Sequence, residues 1–127
     1  MRVFYKEAPF GSKVNFVDDN NILIGYDNED DCCAQGGWFI SDKKDEWLDE
    51  TFKEEALDMP GWNFDMKYCE FLEHPDGYRE SENDAAQFRL VKDDDEKFLT
   101  LYNFHNGYYS RGFEVIVNGK EERSGSV

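Results

Sequence analysis

The stretch Lys13-Val14-Asn15-Phe16-Val17-Asp18-Asp19-Asn20-Asn21-Ile22-Leu23-Ile24-Gly25-Tyr26 decides the fold class of this 127-residue chain. Lys13 to Val17 alternates polar and apolar residues, the period of a strand that buries one face. Asp18 to Asn21 supply short polar side chains that satisfy the backbone of a turn, and Ile22 to Tyr26 is rich in β-formers. The segment predicts a β-hairpin.

Working outward, Phe4 and Tyr5 enter a first short strand, and Ala8-Pro9-Phe10-Gly11-Ser12 reads as a turn. Gly36-Gly37 marks a loop before the apolar run Trp38-Phe39-Ile40. Between Asp45 and Leu57, Leu48, Phe52 and Ala56 recur every four residues, with Asp45, Glu46, Asp49 and Glu50 toward the positive end of a helix dipole. One short helix is expected there, ending before Met59-Pro60-Gly61. Trp62, Phe64, Met66 and Tyr68 then alternate with polar residues, which predicts that all four line one face of a strand. His74-Pro75-Asp76-Gly77 reads as a turn, and Arg79 to Asp84 as an exposed loop.

Phe88 and Leu90 begin a strand that Asp93-Asp94-Asp95-Glu96 turns into Phe98 to Tyr102, a second hairpin. Phe113, Val115 and Val117 form a final strand closed by Asn118-Gly119, and residues 121–127 are expected to fray. The reading is a single domain over residues 1–127 of α+β, β-rich class: an antiparallel sheet or small sandwich of six to seven strands with one short helix.

Composition narrows function. The formal net charge is −15, from 29 acidic against 14 basic residues, and acids outnumber bases on both sides of Phe64. Such a surface repels phosphate backbones and anionic lipid, so a basic protein partner is expected, with no direct nucleic-acid or membrane contact. Eleven Phe, seven Tyr and three Trp set the chain apart from disordered acidic sequences. No apolar stretch reaches the ~20 residues that cross a bilayer as a helix, and the first residues lack a signal-peptide run, so a cytoplasmic location is expected. Cys32 and Cys33 are adjacent and Cys69 stands alone, which favours reduced thiols.

The densest cluster of chemistry-bearing residues is Asp30-Asp31-Cys32-Cys33. A thiolate pair completed by His105 or His74 would suit a soft metal, but zinc sites separate paired cysteines by two to four residues, whereas neighbours in a strand face opposite sides. His105, Asn106, Tyr108, Tyr109, Ser110 and Arg111 could build a polar pocket, although Asn106-Gly107 is also a hairpin signal. Neither Asp18 to Asn21 nor Asp27 to Asp31 has the ligand pattern of an EF-hand, and both read as solvated turns. No phosphate loop, metal centre, cofactor motif or nucleophile constellation is present, so no catalytic residue is expected.

The blocks Asp31-Cys32-Cys33…Trp38-Phe39-Ile40-Ser41 and His105-Asn106-Gly107-Tyr108-Tyr109-Ser110-Arg111-Gly112-Phe113 resemble small bacterial and phage-associated proteins classed as domains of unknown function. The resemblance covers these two blocks and leaves Lys43 to Glu82 without a counterpart. It implies no activity.

The residues fit best a non-catalytic acidic binding protein, such as an immunity protein or inhibitor that covers a basic surface of a nuclease or nucleic-acid-binding partner. The expected contact residues are Asp27, Glu29, Asp30 and Asp31 in one cluster and Asp93, Asp94, Asp95 and Glu96 in another, because each places several anions on a short loop. The alternatives are a small metal- or ligand-binding domain built on Cys32, Cys33, His105, Tyr108 and Tyr109, and a minor enzyme. Oligomeric state is left open.

Overall fold

Side chains that alternate between apolar and polar bury one face of each strand, and apolar faces of this kind meet here in a shared core. The computed structural model describes residues 1–8, 11–27, 35–42, 59–72, 85–104 and 112–127. They hold nine β-strands: β1 Arg2–Ala8, β2 Gly11–Val17, β3 Ile22–Asp27, β4 Gln35–Ser41, β5 Asn63–Leu72, β6 Ala85–Lys92, β7 Asp95–Phe104, β8 Gly112–Val117 and β9 Lys120–Ser126. A five-stranded sheet has the order β1-β2-β3-β8-β9, a four-stranded sheet the order β4-β7-β6-β5, and every pairing is antiparallel.

The core lies between the sheets. The larger sheet contributes Val14, Phe16, Ile24, Tyr26, Phe113 and Val115, and the smaller one Trp38, Phe64, Ala86, Phe88, Leu90, Leu99 and Leu101. Phe16 meets Trp38 edge-on at 5.0 Å between ring centroids, and Phe88 meets Phe113 in the same way at 5.6 Å. The Tyr26 hydroxyl donates to the Tyr102 carbonyl at 2.6 Å and so ties the two sheets together at their polar margin. Burial of each large apolar side chain stabilises the fold by roughly 1.5–3 kcal/mol, which makes this shared core the main source of sheet docking.

Both expected hairpins are present. Val17 and Ile22 flank the first turn, while Lys92 pairs with Asp95 across the second, where Asp93 takes a left-handed φ of 53°. Asn118-Gly119 also turns the chain as expected, with φ of 52° and 81°, the signs a two-residue hairpin requires.

The strand count exceeds the expected six to seven, and the helix expected near Asp45 to Leu57 lies outside the described residues, which contain no helix. Residues 121–126, expected to fray, belong to β9, which pairs with β8 from Gly112↔Ser126 to Val117↔Lys120, and Val127 beyond it is buried. Their polar composition conceals a strand held by backbone hydrogen bonds at a sheet edge. Gly125 is required there, since a Cβ would lie 2.8 Å from Phe113 Cζ.

The expected alternation of Trp62, Phe64, Met66 and Tyr68 fails at a bulge. Asp65 pairs with Arg89 and Cys69 with the next residue, Phe88, which leaves Met66, Lys67 and Tyr68 without counterparts. Asp65 Oδ1 accepts the Lys67 N–H at 3.1 Å and holds this detour. Phe64 remains in the core and Trp62 packs against it, but Met66 is exposed and Tyr68 turns to the opposite face, against Phe98.

Candidate functional site

One end of the sandwich gathers the β2–β3 turn, the start of β5 and the β8–β9 turn. Asn118 N donates to Asn21 O at 3.0 Å, and Asp19 N donates to Asn63 Oδ1 at 3.1 Å. Asp18 organises this end. Its Oδ1 accepts the N–H groups of Asn20 and Ile22, each at 2.9 Å, and its Oδ2 accepts Phe64 N across the sheets at 3.0 Å. The side chain is buried, which corrects the expectation of a solvated turn: its oxygens are engaged by backbone donors that would otherwise be unsatisfied.

The β6–β7 turn lies at the same end, since Asn63 pairs with Val91. Asp93, Asp94, Asp95 and Glu96 are all exposed there. Glu96 lies 3.5 Å from Arg89, which also binds Asp65, whereas Asp93, Asp94 and Asp95 have no ion-pair partner among the described residues. Burial disfavours the charged form of Asp65, but the Lys67 N–H and the Arg89 guanidinium outweigh it and hold the carboxyl below its ordinary value. Asp42 is held low by the Lys97 ammonium at 2.5 Å, which also stands 5.6 Å from the Trp62 ring centroid. Arg89 and Lys97 are thus engaged by carboxylates or a ring, whereas Lys92, next to the turn, is exposed, and so are the three acidic groups on the turn.

Asp27 stands at the other end. Strand β3 begins beside the Asp18 turn at Ile22 and ends at Asp27, a separation of about 17 Å at ~3.4 Å per residue. The structure therefore does not bring Asp27 together with Asp93, Asp94, Asp95 and Glu96. Instead Asp27 lines a shallow cleft of about 320 Å³ with Lys13, Gly25, Glu114, Glu121 and Ser124. Lys13 Nζ lies 3.9 Å from Glu114 Oε1, both side chains being well exposed. Glu114 and Glu121 were not singled out from the sequence. The available signal was Gly25, a glycine inside a run of β-formers, which marks a close approach: a Cβ there would meet Asn15 Oδ1 at 3.1 Å and Glu114 Oε1 at 3.2 Å.

Glu29, Asp30, Asp31, Cys32, Cys33, His105, Tyr108 and Tyr109 lie outside the described residues. Cys69, the one cysteine among the described residues, is a half-buried free thiol. Among the described residues no group of three or more His, Cys, Asp or Glu side chains is placed to hold a metal ion, and no helix is long and apolar enough to cross a membrane. No protein-family model, curated protein or solved structure matches the chain.

Proposed function

We propose that the protein is a non-catalytic acidic binding protein that covers a basic surface of a partner, in the manner of an immunity protein or inhibitor directed at a nuclease or another nucleic-acid-binding protein. The observation that carries this reading is the exposed Asp93-Asp94-Asp95 turn, free of ion pairs among the described residues, on a chain of net charge −15. Carboxylates fixed on a tight hairpin present anions at defined spacing and attract a cationic surface over distances near the ~8 Å screening length at physiological salt. Glu29, Asp30 and Asp31 belong to the same proposal, with Asp27.

The test begins with capture of a partner by the purified chain and stopped-flow association at several salt concentrations. Replacing Asp93, Asp94 and Asp95 by Asn should slow association and flatten its salt dependence while the fold survives. Unchanged rate and salt response, combined with loss of capture in Cys33→Ser or His105→Ala, would replace this reading with a pocket built on those residues.

A further inference from the structure

One row of residues on the face of the larger sheet that points away from the core is antisymmetric in charge. Arg2 stands opposite Val17, Val17 opposite Leu23, Leu23 opposite Ile116 and Ile116 opposite Glu121. The row therefore crosses all five strands from a base, over three aliphatic side chains, to an acid. Leu23 is its midpoint, on the central strand β3. Arg2 and Glu121 are exposed, and Val17, Leu23 and Ile116 are half-buried. The next row runs Phe4, Asn15, Gly25, Glu114 and Ser124, with Phe4 48% exposed. Beyond it Lys13 stands opposite Asp27, and its Nζ lies 3.9 Å from Glu114 Oε1. Within these rows the bases Arg2 and Lys13 lie on β1 and β2, and the acids Asp27, Glu114 and Glu121 on β3, β8 and β9. The face thus escapes the uniform acidity of a chain with net charge −15.

We propose that two copies of the chain pack these faces together about a two-fold axis that is parallel to the strands and passes over β3. Such an axis sets β1 of one copy over β9 of the other. Arg2 then meets Glu121 of the second copy, Val17 meets Ile116, Leu23 meets its own counterpart, and Asn15 comes over Glu114. The order of charged and apolar residues selects this occupant. A basic segment would meet Arg2 and Lys13, and an acidic segment or nucleic acid would meet Asp27, Glu114 and Glu121. A surface carrying the same row in reverse matches it throughout, and the face's own copy is such a surface. A two-fold axis across the strands would instead stack Arg2 on Arg2 and Glu121 on Glu121. Asp27 lies on the axis strand and faces its counterpart, a cost that Lys13 opposite it offsets. Five strands at ~4.8 Å and about six residues at ~3.4 Å make a face of roughly 24 by 20 Å. Two such faces bury about 1,000 Å², near the lower bound for a specific interface, so the dimer is reversible. The axis also leaves both Asp93-Asp94-Asp95 turns at the same end of the dimer. On the acidic-binding reading above, the dimer presents two of them to one partner surface.

The test is sedimentation equilibrium of the full chain at about 0.15 M salt, from about 1 μM to about 1 mM, a range that spans weak specific association. Wild type should pass from monomer to dimer within it, and Leu23→Lys, which sets two like charges on the axis, should remain monomeric. Arg2→Glu and Glu121→Arg should each weaken the dimer about tenfold, and the two together should restore it to within about threefold of wild type. That restoration is specific to the proposed axis. Within one copy Arg2 and Glu121 stand on opposite edge strands, four strand intervals or about 19 Å apart, too far to pair. Near-ultraviolet circular dichroism of every variant should match wild type, since the three positions lie outside the core. A chain that stays monomeric throughout the range, a dimer that Leu23→Lys leaves intact, or a charge-swapped double variant no stronger than either single one would overturn the proposal. The experiment involves no partner, so the acidic-binding reading would survive each of those results.

Discussion

The outward faces of the two sheets differ although both belong to antiparallel strands. On the larger sheet the outward residues include exposed Phe4 and Lys13 and half-buried Val17, Leu23, Glu114 and Ile116. On the smaller sheet the middle of the face pointing away from the core is buried: Phe39, Ser41, Ala85, Gln87, Phe98 and Thr100 are each no more than 6% exposed, while Arg89, Val91 and Tyr102 around them are half-buried. Strict alternation therefore describes only the first sheet. A sheet covered on both faces is written as a near-continuous apolar run, as Trp38-Phe39-Ile40 and Phe98-Leu99-Thr100-Leu101 are. Its buried Gln87 and Thr100 side chains are paired: Tyr68 donates to Gln87 Oε1 at 3.2 Å, and Gln87 Nε2 donates to Thr100 Oγ1 at 3.0 Å.

Substitutions on each face measure this difference. Phe98→Ala should cost about 3–5 kcal/mol in urea unfolding, as much as Phe64→Ala in the shared core. A loss below about 1 kcal/mol at Phe98 would show that its face is not packed. Gln87→Ala, which leaves Thr100 and Tyr68 without this partner, should cost about 1–3 kcal/mol, and Tyr68→Phe should recover little of it. Asp65→Asn should cost about 1 kcal/mol near neutral pH through the lost charge on the Arg89 bridge. Because the folded carboxyl is held below its ordinary value, its contribution is present above that value and disappears as pH falls through the lowered one. The stability curves of wild type and Asp65→Asn should then converge in acid; parallel curves would remove the bridge from the account. Leu23→Ala should have the smallest effect, within about 0.5 kcal/mol. A larger loss would mean that the outward face of the larger sheet is structural.

The hairpins were legible because their information is local. Asp18 to Asn21, Asp93 to Glu96 and Asn118-Gly119 carry turn chemistry within a few residues, and the flanking apolar residues set the pairing. The bulge at Met66 to Tyr68 was not legible, since alternation continues through it and only the pairing with β6 exposes the extra residues. Strand β9 has too few apolar residues to show any period, yet β8 supplies its hydrogen-bond partners. Of the expected contact residues, Asp93, Asp94, Asp95 and Glu96 are exposed on one turn. The union of Asp27 with Glu114 and Glu121 depends on pairings across β3, β8 and β9 that no local spacing encodes. The same applies to Asp18, whose third hydrogen bond comes from Phe64 on the other sheet.

The pairing of β3 with β8 sets Ile22 opposite Val117 and Tyr26 opposite Phe113 and joins segments from opposite ends of the chain. Its consequence is kinetic. The β1–β2–β3 meander and the β6–β7 and β8–β9 hairpins close through short connections, but the larger sheet is completed only when β8 finds β3 across the intervening chain. Loop-closure entropy is lost before those long-range contacts form, so this search should limit the folding rate and place it in the millisecond-to-second range typical of β-sandwiches.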